Sequence, residues 1–119
     1  MDDAKRKSLG LAGENIACSY LQQKGYLILE RNFRCRQGEI DIIASIGKEI
    51  VFVEVKTRRN TNFGEPYLAV DCRKQGKIQK TALYYMTKFH DEEIAYRFDV
   101  ISIVYTGDHI SVEHVISAF

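Results

Sequence analysis

The sequence predicts a single α/β domain with a central, mixed five-stranded sheet flanked by helices. Hydrophobic patterns follow the chain order helix, three strands, helix and two strands, which is typical of a mixed sheet covered by helices. The 119 residues are 45% hydrophobic and 28% charged, with one proline. We therefore expect one globular domain over residues 1–119, and we exclude a disordered tail, collagen and a disulfide miniprotein.

The first predicted element is a helix from about Ala4 to Lys24. Apolar and small side chains recur there on one arc at about 100° per residue, and Gly25 supplies a C-terminal stop. Glu14 lies at the edge of this arc, where its carboxylate could reach over the boundary of the core. Taken alone, this position is more simply explained as a solvated glutamate.

Three strands rich in Ile, Val and Phe are predicted after this helix. They cover Tyr26–Phe33, Gly38–Ser45 and Glu49–Thr57. Because only short polar breaks separate them, we expect an antiparallel meander.

The C-terminal half begins with a loop to about Ala69. Asp71 is the predicted N-cap of a second helix that runs to about Phe89. Two further strands are predicted over Ala95–Tyr105 and His109–Ile116. These two strands and the three before the second helix together form the predicted mixed sheet.

Acidic side chains lie inside the second and third strands, away from the loop tips. Because side chains alternate along a strand, Glu39 and Asp41 share one face, and so do Glu54 and Lys56. Gly47 suits the first central position of a two-residue type II′ turn, which pairs residues whose numbers sum to about 95. Asp41 then lies opposite Glu54. Glu39 lies opposite Lys56 on the same face.

Two carboxylates facing each other across strands are about 5 Å apart and repel by roughly 3 kcal/mol at an effective dielectric near 20. A hard divalent cation, Mg²⁺ or Mn²⁺, offsets this repulsion because it prefers oxygen ligands. Lys56 would lie beside such an ion, and metal, water and positive charge are what phosphodiester hydrolysis needs. The simpler alternative is a half-exposed sheet with solvated charges. For Glu39, metal ligation and an orienting ion pair with Lys56 both remain open.

Three segments carry a resemblance to known proteins. They are GEID at Gly38–Asp41, VEVKTR at Val53–Arg58 and RFDV at Arg97–Val100. With these motifs the sequence resembles the YraN-like family of bacterial proteins over essentially the whole chain. That family is similar in motif layout to the PD-(D/E)xK superfamily, which includes restriction endonucleases and archaeal Holliday junction resolvases. Ile40 stands where the superfamily motif has proline.

The resemblance implies a restriction-endonuclease-like fold and a metal-dependent active site. Asp41 and Glu54 would be the catalytic, metal-binding carboxylates, with the Val55 carbonyl as an additional ligand. Lys56 would be the catalytic lysine. Glu14 matches a helix glutamate that resolvase-like members place beside the metal, and the products would carry 5′-phosphates.

A net charge of +1 hides a basic band, because residues 56–80 carry a net charge of +5. Such a band favours a localised anionic partner, with nucleic acid as the first candidate. The predicted contacts are Arg58, Arg59, Arg73, Lys77 and Lys80. Contacts of this kind bind the phosphate backbone and carry no base information, which favours structure-selective recognition. A solvated basic face is the simpler alternative.

Cysteine and histidine patterns predict neither a disulfide framework nor a zinc site. The three cysteines are far apart and lack a CxxC pair, so we expect reduced thiols. His90, His109 and His114 are interpreted as surface residues, and Asp99 as a buried, hydrogen-bonded strand residue. The sequence has neither a secretory signal nor an apolar stretch near the roughly 20 residues that span a bilayer. We therefore expect a cytoplasmic protein without a membrane partner.

The leading hypothesis is a Mg²⁺- or Mn²⁺-dependent nuclease that hydrolyses DNA phosphodiester bonds at branched or damaged structures, as in repair or recombination. DNA is favoured over RNA, and a homodimer would supply the second site needed to cut two strands. The alternative is a non-catalytic nucleic-acid-binding module of the same fold that acts through partners. A third hypothesis is a plain interaction domain with solvated charges.

Overall fold

The structure is a computed structural model that describes residues 3–59, 70–90 and 93–119, with side chains from residue 8 onward. Its elements are α1 Asp3–Gln23, β1 Leu27–Cys35, β2 Gly38–Ile46, β3 Glu49–Arg58, α2 Cys72–Met86, β4 Ala95–Thr106 and β5 His109–Val115. The predicted order is confirmed, and each boundary lies within three residues of its predicted position. The loop predicted before α2 falls mostly outside the described residues.

The five strands form one mixed sheet in the order β1-β2-β3-β4-β5. Its pairs are antiparallel except for β3 and β4, which are parallel. A parallel pair needs a crossover connection, and α2 lies within it. The arrangement is the predicted α/β fold and is consistent with a restriction-endonuclease-like sheet.

The two helices cover opposite faces of the sheet, and each has its own apolar core. Ala17 and Leu21 of α1 pack on one face with Val51 and Val53 of β3. The other core contains the apolar side of α2 and the opposite face of the strands, including Phe52 and Phe98. Because β3 lies between both helices, nearly every side chain in its first half is buried.

Gly13 brings α1 very close to β3. A Cβ atom on this glycine would lie 1.9 Å from Oγ1 of Thr57, so a larger residue would force the helix away from the sheet. Gly25, with φ of +94°, ends the same helix as predicted. The close approach holds the next residue, Glu14, over the edge of the sheet.

Helix α2 begins as predicted, where the Asp71 side chain accepts a hydrogen bond from the Lys74 N–H at 2.8 Å. It buries Ile78, Thr81, Ala82 and Tyr85. The helix ends at Met86, three residues before the predicted end. From Thr87 to Phe89 the backbone N–H groups donate to carbonyls three residues back, which is the tighter 3₁₀ geometry common at helix ends.

The predicted register of the β2–β3 hairpin is confirmed. Residues pair from Ile46 with Glu49 to Ile42 with Val53, so the sum of 95 holds along this ladder. The ladder ends there, while 38–40 of β2 remain paired to β1 and 54–58 of β3 remain paired to β4. We call this opening, between 38–41 of β2 and 54–58 of β3, the β2–β3 fork.

A buried polar network joins β4, β5 and α1 on the far side of the sheet. Asp99 is fully buried, as predicted, and accepts hydrogen bonds from Arg97 at 3.0 Å and from the Ser117 N–H at 3.0 Å. Nε2 of His114 lies 2.7 Å from the same carboxylate, and Nδ1 lies 3.0 Å from the hydroxyl of Tyr20. The network fixes the last strand to the first helix.

The prediction that His114 lies at the surface is wrong, since its side chain is only 6% exposed. Sequence spacing could not reveal this, because Tyr20 and His114 are 94 residues apart. His90 and His109 are exposed, as predicted. The three cysteines are all described and are free thiols, as expected.

We predict that Asp99→Asn lowers the free energy of unfolding by about 3 to 5 kcal/mol at pH 7, because it breaks a buried charge network. Burial raises the pKa of Asp99, but hydrogen bonds from His114 and Arg97 outweigh it and hold the pKa below the ordinary 3.8. The stabilisation is therefore present at neutral pH and is lost as the pH falls below 3.8 through the folded-state pKa. Urea denaturation at several pH values measures both effects.

The matched control is Asp108→Asn, which makes the same change at an exposed turn beside β4. It should alter stability by no more than about 0.5 kcal/mol. An Asp99→Asn protein as stable as this control at pH 7 would contradict the structural role of the network.

Candidate functional site

Asp41 and Glu54 meet at the β2–β3 fork. Oδ2 of Asp41 accepts a hydrogen bond from the Val55 N–H at 2.8 Å. If the β2–β3 ladder continued, a backbone carbonyl of β2 would accept from this N–H instead. The side chain of Glu54 is 8% exposed and hydrogen-bonds to Asp41. The structure thus brings together the two carboxyl groups that the sequence placed opposite each other.

Asp41 lies where the facial alternation of β2 breaks. Ile40 packs in the core on the α2 side, whereas Ile42 packs in the core on the α1 side. Residues two apart in a regular strand share a face, so the strand turns about its axis at Asp41. As a result, Asp41 lines both the cleft beside α2 and a smaller groove beneath α1.

Glu54 has a strongly altered acidity. Its pKa is raised from 4.5 to about 8, mainly by burial and also by the neighbouring Asp41, while Lys74 acts in the opposite direction. Glu54 is therefore mostly protonated at neutral pH in the ion-free protein, because its charged form is disfavoured by burial and by the neighbouring carboxyl group. Perturbed acidity in a cleft is typical of functional sites.

Glu14 of α1 lies next to this pair. Its side chain is 16% exposed, and its pKa is raised by burial and by the charge of Asp41. Oε1 is buried without a hydrogen-bond partner, and its contact with Arg31 is long, at 3.8 Å. Glu14 and Asp41 line the same groove as Lys56. The sequence-predicted residues on α1, β2 and β3 are therefore neighbours.

Glu39 makes a different contact from the one expected. It pairs with Arg34 on β1 at 3.1 Å, because the β2–β3 ladder ends before it would bring Glu39 opposite Lys56. Both members of the new pair are mostly exposed, so it adds little stability. Glu39 still lines the cleft together with Lys56.

A cleft of about 750 Å³ lies between the fork and the start of α2. Asp41 and Glu54 lie on one side, and Arg73, Lys74 and Lys77 lie on the other. Two of the five predicted nucleic-acid contacts, Arg73 and Lys77, therefore line it. The other three do not: Arg58 donates to Ser102 at 3.5 Å, while Arg59 and Lys80 are exposed outside the cleft.

Lys74 is the functional candidate that the sequence analysis missed. Its Nζ lies 3.2 Å from Oε2 of Glu54. The available signal was its spacing of three residues from Lys77, because residues three apart share a helix face. The predicted nucleic-acid contacts on this helix were instead Arg73, Lys77 and Lys80, which are spaced four and three residues apart.

The side chains at the fork fit a hard divalent cation. Asp41 and Glu54 offer carboxylate oxygens, and the Val55 carbonyl points toward the same neighbouring strand as its N–H. A bound Mg²⁺ or Mn²⁺ would relieve the repulsion between these two neighbouring carboxyl groups. Among the described residues no set of three or more acidic, His or Cys side chains converges on one point. The fitting ligands are thus two carboxylates and a carbonyl, with Glu14 beside them.

No helix in the described parts of the chain is both long and apolar enough to cross a membrane.

Comparison with known proteins places the chain in a bacterial family. Residues 13–103 match the Uncharacterised protein family UPF0102. A UPF0102 protein of Geobacter metallireducens is 53% identical over 113 residues, which cover 95% of this chain and 93% of the relative. One from Caldanaerobacter subterraneus is 45% identical over 122 residues, covering all of both chains. The match includes the fork, the cleft and the carboxyl pair, and the protein belongs to the UPF0102 family.

Proposed function

We propose that this protein is a Mg²⁺- or Mn²⁺-dependent nuclease that hydrolyses DNA phosphodiester bonds, with selectivity for branched or damaged structures. The observation that carries the proposal is the pairing of buried Glu54 with partly buried Asp41 on one wall of a cleft whose opposite wall is cationic. Paired carboxyl groups beside basic side chains suit a site for an ion and a phosphate together.

Asp41, Glu54 and the Val55 carbonyl would hold the divalent ion. The N–H of Val55 fixes one oxygen of Asp41, and Asp41 lines the cleft. When bound, the ion would act as a Lewis acid toward the scissile phosphate and lower the pKa of a water molecule. Glu14 would orient water on the α1 side, where its unpartnered Oε1 can accept a hydrogen bond.

Lys56 is the proposed catalytic lysine. It is exposed and lines both the cleft and the groove beneath α1, so it can contact the attacking water and the phosphate. In hydrolysis the water oxygen bonds to phosphorus as the bond to the leaving oxygen breaks. The water gives up a proton to bulk solvent, and the leaving oxygen takes one from solvent, so the protons balance. The positive charge of Lys56 stabilises the negative charge that develops on the phosphoryl oxygens.

Arg73 and Lys77 would bind the DNA backbone along the α2 wall of the cleft, close to the carboxyl pair. Arg58, Arg59 and Lys80 lie outside the cleft and would contact more distant phosphates. Backbone contacts of this kind give steep salt dependence and recognition by shape. Cleavage of both strands of a duplex would need two copies of the chain.

We predict that the purified protein cleaves branched or linear DNA in the presence of Mn²⁺ or Mg²⁺ and that EDTA stops the reaction. Glu54→Gln should reduce the cleavage rate at least about 100-fold, because it removes a proposed ion ligand, while DNA binding at low salt persists. A gel assay on labelled DNA measures cleavage, and fluorescence anisotropy measures binding.

Glu113→Gln on β5 is the control, because it makes the same change at an exposed position. It should cleave at the wild-type rate. DNA binding without cleavage by the wild type would instead favour a non-catalytic nucleic-acid-binding module. Neither binding nor cleavage would favour a plain interaction domain.

A second prediction concerns stability without divalent ions. In the unfolded chain Glu54 loses its proton above pH 4.5, whereas in the folded protein Glu54 keeps its proton until about pH 8. The free energy of unfolding should therefore fall by up to about 1.4 kcal/mol per pH unit between these values because of this group. Glu54→Gln removes this loss. The free energy of unfolding of the variant minus that of the wild type should therefore rise from pH 4.5 to 8 and then stay constant.

Chemical denaturation in EDTA at four pH values tests this, with Glu113→Gln again as the control. Parallel pH profiles for the wild type and Glu54→Gln would show that Glu54 is not held protonated in the fold.

A further inference from the structure

Lys74 occupies the place beside Glu54 where a counter-charge is needed. Its Nζ lies 3.2 Å from a carboxyl oxygen of Glu54, whose side chain is 8% exposed. The Lys74 side chain itself is 47% exposed, so it reaches into the cleft from the solvent side. The ammonium group therefore lies beside the carboxyl group that would ligate a divalent ion.

The backbone of Lys74 is fixed, whereas its side chain has room to move. Its N–H donates to the N-cap Asp71 at 2.8 Å, which anchors it in the first turn of α2. Arg73 and Lys77 line the same cleft, so an ammonium group that leaves Glu54 stays among the groups that face a bound phosphate. A flexible four-carbon stem permits this movement.

We propose that Lys74 is an internal counter-cation that exchanges with the divalent ion: it pairs with Glu54 in the ion-free protein and turns to the substrate phosphate when the ion binds. This inference rests on the proposed function, and it assigns a regulatory role to a residue outside the proposed ligand set.

The charges of the site give the exchange its direction. Without a divalent ion, the acidic side chains at the fork attract the ammonium group of Lys74, which lies 3.2 Å from an oxygen of Glu54. With a divalent ion bound, these acidic side chains and the ion together are nearly neutral or positive, and the attraction is lost. Lys74 therefore weakens ion binding in the free protein and strengthens phosphate binding in the loaded protein. Ion and DNA binding are coupled as a result, and the coupling is reciprocal.

The test compares Mn²⁺ binding by the wild type, Lys74→Gln, Lys74→Arg and Lys80→Gln, by calorimetry without DNA. Lys80 lies on the same helix but is exposed outside the cleft, so its variant controls for loss of one charge. Lys74→Gln should bind Mn²⁺ about tenfold more tightly than Lys80→Gln, because a repelling charge next to the ion is removed. Lys74→Arg should resemble the wild type. Thermal melting checks that every variant is folded.

DNA binding provides the second readout. Mn²⁺ should raise the affinity of the wild type for a branched DNA with phosphorothioate linkages, and this gain should be about fivefold smaller in Lys74→Gln. If the wild type binds no Mn²⁺, the proposed function and this inference both fail. If it binds Mn²⁺ but Lys74→Gln differs from Lys80→Gln by less than about threefold, or binds more weakly, only the exchange is wrong.

Discussion

The contact between Glu54 and Asp41 is the constraint on which the other features of the site depend. The buried carboxyl group of Glu54 meets the partly buried one of Asp41 at the point where β2 and β3 stop pairing. Their proximity requires a shared proton, a lysine or an ion to offset repulsion. A fold optimised only for stability would place apolar side chains at this position, since buried charged groups rarely add net stability. The proposed ion site gives a physical reason for a carboxyl pair at this position.

The rest of the fold holds the fork open and in place. Gly13 lets α1 lie directly on β3, which brings Glu14 to one side of Asp41. The N-terminus of α2, capped by Asp71, supplies the cationic wall on the other side. The network around Asp99 lies away from the cleft and fixes β4 and β5 to α1. The scaffold is thus anchored separately from the groups proposed to bind ions and DNA.

Much of this could be predicted from local sequence patterns. The turn at Gly47 fixed the register of β2 and β3, and that register brought Asp41 and Glu54 together. The Glu39–Lys56 pair failed because strand alternation says nothing about where a ladder ends. Lys74 and His114 were missed because their partners lie far away in the sequence: Glu54 is 20 residues from Lys74, and Tyr20 is 94 residues from His114. Long-range packing, which no local pattern encodes, decides such contacts.

The most direct test of the central claim is a crystal structure of the protein soaked in Mn²⁺, with anomalous diffraction locating the ion. The account predicts one strong anomalous peak at the fork, about 2.0 to 2.3 Å from an oxygen of both Asp41 and Glu54, with the Lys74 ammonium group displaced from Glu54. A saturated crystal with no peak within coordination distance of both carboxyl groups, and with the Lys74 contact intact, would contradict it.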